Sequence, residues 1–376
     1  MKGIYFCVGQ NLSDESSGIG KKINSQIDAL RNSGYDMDVL DIENANNLID
    51  KLFFWSGLIS TPYKRRQIEA VKHADIEGAD FVYIRKPTTT SALLTVLRDI
   101  KERNKKIKVV MELPTYPSSE YIGIKKILNI YSKYAEKRLH RYVDRILTYS
   151  RDTNVWGIKA IPTTNCINCK NIKAKSDCDI DSNKINLIAV ADFNYWHGYD
   201  RTIEGIKKYY SDDKRRDYDV ELYLVGGGKE LDNYKRIVAS EPDISEHVHF
   251  CGKLFGSDLD DVFEISHIGL DAMGRHRSGV TYNSSLKGKE YGGRGLPIVS
   301  GVETELDYDN EYKYYMRVPA DDTPVDIWKV VEFYREVYKK QESPQKVIRE
   351  IREYTEKNFD YSTGYKTLVG YLRDEV

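Results

Sequence analysis

Cationic and carboxylate side chains share one face of a predicted helix near residue 290. Lys287 and Glu290 are three residues apart, and Arg294 follows four residues later, so all three lie on the same side of a helix. A cation stabilises phosphate charge, and a carboxylate accepts hydrogen bonds from two neighbouring hydroxyls at once. This face therefore offers cations and a carboxylate to a single ligand.

Glycine-rich turns follow two predicted strands. Residues 17–20 read Ser-Gly-Ile-Gly before the first predicted helix, and residues 226–228 are three consecutive glycines. Glycine permits a tight turn, and the N-terminus of the next helix offers free N–H groups to an anion. Gly18, Gly20 and Gly226 are accordingly candidates for contact with a phosphate group.

Polar side chains also stand at predicted strand ends and in a basic loop. Arg85 and Glu112 each end a predicted strand, where α/β folds place site residues. Glu112 would either orient a substrate hydroxyl or cap the following turn. The loop 274–279, Gly-Arg-His-Arg-Ser-Gly, is rich in hydrogen-bond donors.

The elements that must position these residues are short apolar runs alternating with amphipathic stretches, a pattern typical of βαβ units and a mostly parallel sheet. Strands are predicted at 2–8, 36–40, 80–84, 107–112, 144–149, 185–190, 220–225, 248–250, 268–270 and 297–299. Helices are predicted at 21–33, 93–104 and 201–210, from the glycines 226–228 through residue 239, and near the end of the chain at 327–338 and 365–372. The predicted class is therefore α/β.

Two successive α/β blocks predict two doubly wound domains. With 376 residues the chain is longer than one hydrophobic core usually organises. We predict an N-terminal domain over 1–170, a polar linker over 171–184 and a C-terminal domain over 185–355. Residues 356–376 are expected to pack back on the first domain.

Composition excludes several classes of protein. Lys and Arg number 57 against 58 Asp and Glu, a balance that argues against a dedicated nucleic-acid binder. No apolar run reaches the roughly 18 residues that a membrane-spanning helix needs, and residues 1–8 turn polar too soon for a signal peptide. Five cysteines, an odd count, indicate a reducing, cytoplasmic location. Three of them (Cys166, Cys169 and Cys178) lack a fourth nearby zinc ligand, so free thiols are favoured over a metal site.

Three segments, taken in order, resemble retaining glycosyltransferases of the GT-B fold, in particular glycosyltransferase family 4 and its capsule- and exopolysaccharide-building relatives. They are residues 190–200, residues 221–228 with 248–253, and residues 285–299. The second is similar to the family's L-x-I-V-G-x-G and V-x-F-x-G strands, and the third to its glutamate-bearing helix followed by Gly-x-Pro. Residues 111–117 also resemble a segment of polysaccharide-assembly members. The resemblance implies two Rossmann-like domains that face each other across a cleft.

The resemblance assigns Glu290 to the ribose hydroxyls of a nucleotide sugar. The other residues expected to contact that nucleotide sugar are Gly18, Gly20, Arg85, Gly226, Lys253, Arg277 and Tyr282. Tyr282 replaces the family's first glutamate, and Asp192 and His197 replace its diphosphate-binding arginine and lysine. We therefore predict Lys287 as the main phosphate cation, with His197 contributing a hydrogen bond and charge. The D-x-D of residues 258–260 falls at a predicted helix start, where Asp is a routine cap, so no metal and no cofactor are expected.

The resemblance implies transfer of a sugar, with retention, from a UDP-linked donor to a glycan or polyprenol-linked acceptor. Residues 121–142 hold six basic side chains among apolar ones and one acid, Glu136, which predicts either peripheral membrane contact or a surface helix packed on its own sheet. Two alternatives stay open: a sugar-nucleotide epimerase, and a degenerate subunit that binds glycan or supports an active partner. A nicotinamide dehydrogenase is disfavoured because Leu231 replaces the third glycine of G-x-G-x-x-G.

Overall fold

The computed structural model describes residues 1–9, 12, 18–42, 62–87, 89–114, 116, 132–180, 182–340 and 343–375. The chain forms two compact units. Unit 1 consists of residues 1–164 and 361–376, and unit 2 of residues 165–360. The first half of the predicted basic segment 121–142, and parts of the segments 17–20 and 111–117, lie outside the described residues.

Unit 1 is built on a parallel sheet. Residues 1–164 contribute β1 (Lys2–Val8), α1 (Gly18–Asn32), β2 (Asp36–Ile42), α2 (Pro62–His73), β3 (Phe81–Arg85), α3 (Ser91–Arg103), β4 (Lys108–Leu113), β5 (Arg145–Thr148), β6 (Asn154–Val155) and β7 (Ile158–Pro162). Within the described part of the unit, the strand order is β2-β1-β3-β4-β5-β7-β6, and β6 pairs antiparallel to β7. The apolar run of β1 is buried on both faces, as expected for a central parallel strand.

Unit 2 is a second parallel sheet with helices. Its elements are β8 (Lys184–Asp192), α4 (Asp200–Ser211), β9 (Asp219–Gly227), α5 (Leu231–Ala239), β10 (Val248–Gly252), α6 (Gly256–Ile265), β11 (Ile268–Leu270), α7 (Leu286–Arg294), β12 (Ile298–Ser300), β13 (Tyr315–Arg317), α8 (Ile327–Tyr334) and α9 (Pro344–Phe359). The strand order is β10-β9-β8-β11-β12-β13 in the residues described. All of the predicted strands of both units are present, whereas β6, β7 and β13 were not predicted.

The last residues of the chain return to unit 1 as α10 (Tyr361–Gly364) and α11 (Lys366–Leu372). The Lys108 ammonium donates to the carbonyls of Tyr371 at 3.0 Å and Leu372 at 2.8 Å, and it pairs with Asp374 at 2.6 Å. A lysine at this place satisfies carbonyls that the end of a helix leaves open. The predicted return of the C-terminal helix is confirmed, although it begins at Tyr361 and not at residue 356.

The segment that we predicted as a linker, 171–184, belongs to unit 2. Lys175 is buried and donates to the carbonyls of Phe263 at 3.1 Å and Glu264 at 2.6 Å, at the C-terminal end of α6. Burial lowers the pKa of this ammonium. The polar residues that indicated a linker instead satisfy the end of a helix, and the boundary between the units lies at residue 164.

None of the helices in the described part of the chain combines the length and the apolar character needed to cross a bilayer.

Candidate functional site

The carboxyl ends of the unit 2 strands form one edge, since the strands are parallel. At this edge β8 and β9 lie so close that Gly226, with φ +138°, has no room for a Cβ beside the carbonyl of Ala191. Gly228, with φ +129°, is similarly crowded by the backbone of Phe193. Gly226 thus lies at the predicted edge, and its close packing against β8 explains the glycine there.

Lys287 and Arg275 form a pair of cations at this edge. Lys287 is in the first turn of α7, and Arg275 opens a short 3₁₀ turn after β11. Both residues are half-buried. In the described residues neither side chain has a hydrogen-bond or ion-pair partner, and the Arg275 Nε is buried without one. Two half-buried cations without direct counter-ions make this edge a place for an anion.

The pKa values of both cations reflect this position. The pKa of Lys287 lies below its ordinary value. Burial is the largest cause and Arg275 adds to it, while Asp271 and Glu290 act in the opposite direction. Burial likewise lowers the pKa of Arg275, and Asp271 raises it. Each cation is therefore desolvated, and a bound anion would replace the lost solvation.

His197 lies beside these cations as a neutral donor. Its Nδ1 accepts a hydrogen bond from the backbone N–H of Asn194 at 3.0 Å, so Nε2 carries the proton in the neutral ring. Burial lowers the pKa of His197 to about 3, with Lys287 and Arg275 adding to the effect. The predicted charge on His197 is therefore wrong, because the imidazole is uncharged near neutral pH, and its contribution is limited to the Nε2–H.

The backbone of His197 also joins two strand ends. Its carbonyl accepts from the N–H of Met273 at 2.7 Å, and its ring stacks on Tyr199 with an interplanar angle of 4°. The turn after β8 is thereby fixed to the segment after β11, which carries Arg275. The position of His197 relative to the cations is thus built into the backbone.

Arg277, which we predicted to bind the nucleotide sugar, is occupied by carboxylates of its own unit. Its guanidinium donates to both oxygens of Asp200, at 2.9 and 2.7 Å, and its Nε donates to Asp322 at 2.7 Å. These partners raise the pKa of Arg277, with Asp200 first. A bidentate guanidinium–carboxylate pair has few donors left for a ligand. We correct the assignment: Arg275, two residues earlier, is the arginine that lies beside Lys287.

The remaining predicted contacts of unit 2 lie around α7 and the neighbouring strands. Glu290 is exposed in α7, near enough to Lys287 to raise its pKa. Lys253 is exposed after β10, with its Cε beside Gly227. Tyr282 forms an isolated parallel bridge with Glu303. Gly226, Lys253 and Glu290 thus belong to the same unit as Lys287.

The predicted residues Gly18, Gly20, Arg85 and Glu112 are in unit 1. Glu112 has no exposed surface, and its carboxylate accepts from five side chains. Oε1 contacts Arg85 at 2.8 Å, Tyr149 at 2.8 Å and Lys22 at 3.3 Å, while Oε2 contacts Tyr83 at 3.1 Å and Gln26 at 3.2 Å. A carboxylate offers about four lone-pair sites, so this carboxylate is already saturated.

The electrostatics of Glu112 support a structural role. Burial would raise its pKa, but Lys22, Arg85 and the Tyr149 hydroxyl lower it to about 2. Arg85, which we predicted to contact the nucleotide sugar, is the arginine of this network. The expected contact of Glu112 with an acceptor hydroxyl is not supported by this geometry. Gly18 is exposed at the start of α1, and Gly20 is buried in its first turn.

Metal ligands are not grouped in the described residues: no three His, Cys, Asp or Glu side chains are arranged to hold an ion. Asp258 and Asp260 lie in α6, and Asp260 pairs with Arg294 at 2.6 Å. Arg294, on the predicted α7 face, is thereby tied to α6.

Sequence comparison gives no match to a protein family or to a curated protein. Solved structures do match over the whole chain. A glycosyltransferase from Rickettsia africae has a TM-score of 0.64 at 10% identity, covering 100% of this chain and 98% of the other. Anabaena HepE in complex with UDP has a TM-score of 0.63 at 12% identity, with 100% of both chains covered. The lipopolysaccharide outer core galactosyltransferase WaaB has a TM-score of 0.62 at 13% identity, again covering 100% of both.

These neighbours are GT-B glycosyltransferases. At such low sequence identity the similarity establishes fold and not activity. The predicted fold class is confirmed: the chain has the GT-B fold, with two Rossmann-like units.

Proposed function

We propose that this protein is a glycosyltransferase that moves a sugar from a nucleoside diphosphate sugar to an acceptor. The observation that carries the proposal is the pair of half-buried cations, Lys287 and Arg275, beside the uncharged donor His197. The carboxyl edge of a doubly wound sheet is where such folds bind ligands. Structural neighbours with UDP and UDP-glucose bound support a nucleotide sugar as the donor.

In the proposed reaction the bond between the anomeric carbon and the diphosphate breaks, and negative charge grows on the leaving group. Lys287 and Arg275 stabilise that charge, and His197 donates a hydrogen bond from Nε2. The two cations take the place of the arginine and lysine that are missing at Asp192 and His197. We further propose family-4-like chemistry: a UDP-linked donor, retention at the anomeric carbon, no metal, and a glycan or polyprenol-linked acceptor.

Glu290 provides the test of the nucleotide site. Replacing Glu290 with Gln keeps the size of the side chain but removes the charge that favours two ribose hydroxyls. We expect the affinity for UDP-sugar to fall about tenfold or more, from the worth of charge-assisted hydrogen bonds. Isothermal calorimetry measures the change, with Glu332→Gln on exposed α8 surface as the matched control. Equal donor affinity in Glu290→Gln and the wild type would show that the nucleotide binds elsewhere.

Incubation with donor alone separates the alternatives. An epimerase converts the donor sugar without an acceptor, whereas a transferase hydrolyses the donor slowly or leaves it intact. A degenerate subunit, the interpretation favoured by Tyr282 in place of the first glutamate, would bind glycan without transferring or hydrolysing any sugar. Mass spectrometry of the donor pool reveals an epimerase, and any hydrolysis of the donor rules out the degenerate subunit.

We also propose peripheral contact with anionic membrane at the cytoplasmic face. The described end of the basic segment 121–142 exposes Lys133, Tyr134, Lys137 and Arg141 while burying Ala135. Its acid, Glu136, is paired with Lys86 at 2.9 Å, so positive charge dominates the surface.

Flotation with liposomes tests this proposal. We expect binding to vesicles that contain anionic lipid and loss of binding as salt rises, since each exposed basic residue contributes roughly 1 kcal/mol at such a surface. Lys133→Glu with Lys137→Glu should weaken flotation, and Lys208→Glu, in unit 2, should not. Absence of wild-type binding at low salt would instead favour a soluble acceptor.

A further inference from the structure

Asp271 is a buried carboxylate beside the cation pair that the proposed reaction does not use. It follows β11 directly and is 1% exposed. Its Oδ1 accepts from the Ser285 hydroxyl at 2.7 Å, whereas its Oδ2 is buried with no hydrogen-bond partner in the described residues. A buried carboxylate oxygen without a donor is unfavourable unless its charge serves another group.

Ser285 links this carboxylate to the helix that carries Lys287. Ser285 is the N-cap of α7, and its hydroxyl oxygen accepts from the N–H of Gly288 at 3.4 Å. The same hydroxyl donates its hydrogen to Asp271, so a single side chain joins the end of β11 to the first turn of α7. Lys287 lies in that first turn, two residues beyond the cap.

Asp271 also interacts electrostatically with the two cations, Lys287 and Arg275. Four groups act electrostatically around Lys287: Asp271, Arg275 from the turn after β11, His197 from the turn after β8, and Glu290 from its own helix. His197 is neutral and Glu290 is exposed. Asp271 is thus the negative charge in this group that solvent screens least. It also acts on Arg275.

We propose that Asp271 is a positioning residue of the diphosphate site, which fixes the first turn of α7 through Ser285 and keeps Lys287 charged and close to Arg275 before the diphosphate arrives. The proposal rests on the proposed function for the identity of the ligand. It assigns Asp271 no contact with substrate and no proton transfer. The mutual repulsion of two desolvated cations is offset by the carboxylate until the phosphates replace it.

Two substitutions separate the hydrogen bond to Ser285 from the electrostatic effect of Asp271 on Lys287. Asp271→Asn keeps an oxygen that accepts from Ser285 but removes the charge. Ser285→Ala removes the hydrogen bond and keeps the charge. Asp261→Asn, on the exposed surface of α6, is the matched control.

The direct measurement is an NMR titration of the Lys287 side chain in the full-length protein. We expect its pKa to fall by about one unit or more in Asp271→Asn, the size of shift that a nearby buried charge produces. It should stay at the wild-type value in Ser285→Ala and Asp261→Asn. The alkaline limb of kcat/KM should move to lower pH in Asp271→Asn, while Ser285→Ala should lower kcat/KM at every pH without moving that limb.

An unchanged Lys287 pKa in folded Asp271→Asn would overturn the proposal. If Asp271→Asn does not fold, Asp271→Glu, which retains the charge, should keep the Lys287 pKa within about half a unit of the wild type, and a larger fall would overturn the proposal. Failure of the proposed function has a different signature. In that case the wild type would neither bind nor consume nucleotide sugar, and the titration would still report whether Asp271 sets the charge of Lys287.

Discussion

Replacing Lys287 with alanine is expected to lower kcat about 100-fold or more, the loss that follows removal of one donor to a developing oxyanion. The diphosphate gains charge as the glycosidic bond breaks, so the loss should be larger for turnover than for binding of uridine, which carries no phosphate. Arg275→Ala should behave in the same way. Single-turnover rates and calorimetry with uridine, UDP and UDP-sugar measure the two effects separately.

Because Lys287 and Arg275 lie side by side, we expect Lys287→Ala and Arg275→Ala to be strongly coupled in their effect on turnover. Residues that stabilise the same charge give non-additive losses, so the double variant should lose less than the product of the single losses. Lys208→Ala, on the exposed face of α4, is the matched control and should retain wild-type turnover. Equal weakening of uridine and UDP-sugar binding in Lys287→Ala, with kcat unchanged, would mean that this lysine supports the fold.

The second large effect is expected in unit 1. Glu112→Gln should destabilise the unit by roughly 3–5 kcal/mol, the usual consequence of removing one partner from a buried ionic network. The substitution leaves Lys22 and Arg85 without their shared carboxylate and places amide hydrogens against them. Hydrogen exchange of peptides from β4 and β5 reports unit 1 specifically, and Glu102→Gln on exposed α3 surface is the control.

The dependence of this effect on pH has a definite sign. The pKa of Glu112 falls from its ordinary value of 4.5 to about 2 in the folded protein. The ionised carboxylate therefore contributes its full stabilisation above about pH 4.5, and that contribution is lost as the pH falls toward about 2. The difference in stability between wild type and Glu112→Gln should narrow over that window. A constant difference down to pH 2 would contradict the ionic explanation.

Local patterns in the sequence were sufficient for most of the fold. The apolar run of β1, the alternation with helices such as α1 and the glycines at the end of β9 are short-range signals, and the structure contains all of these elements. The short strands β6 and β13 carry no such signal, because β6 has two residues and β13 has no fully buried residue, unlike the apolar runs of β11 and β12. The polar segment around Lys175 was predicted as a linker. The carbonyls that Lys175 binds lie about ninety residues away in the chain, so the local sequence does not reveal them.

The sequence pointed to Lys287, Glu290 and Gly226, which all lie in unit 2, but it did not display the ionic pairing around them. Arg275 and Arg277 lie in the same basic loop, and the local sequence gives no reason to prefer one over the other as a ligand contact. They differ because Asp200 and Asp322, which are far away in the chain, meet Arg277 in the fold. Glu112 lies in a strand end, where a functional residue is expected, yet five side chains from α1, β3 and the residue after β5 enclose it. Such pairings arise from tertiary packing, which a single sequence does not display.

The discontinuity of unit 1 has a consequence for synthesis on the ribosome. Residues 361–376 are translated after all of unit 2. The face of unit 1 that contacts α11, which includes Lys108 and the hydroxyl of Tyr35, therefore stays exposed while residues 165–360 are synthesised. Unit 2 is continuous and has its whole core available earlier than unit 1 does. We therefore expect nascent chains to gain protease resistance in unit 2 first, although the N-terminal part of a chain usually folds ahead of the rest.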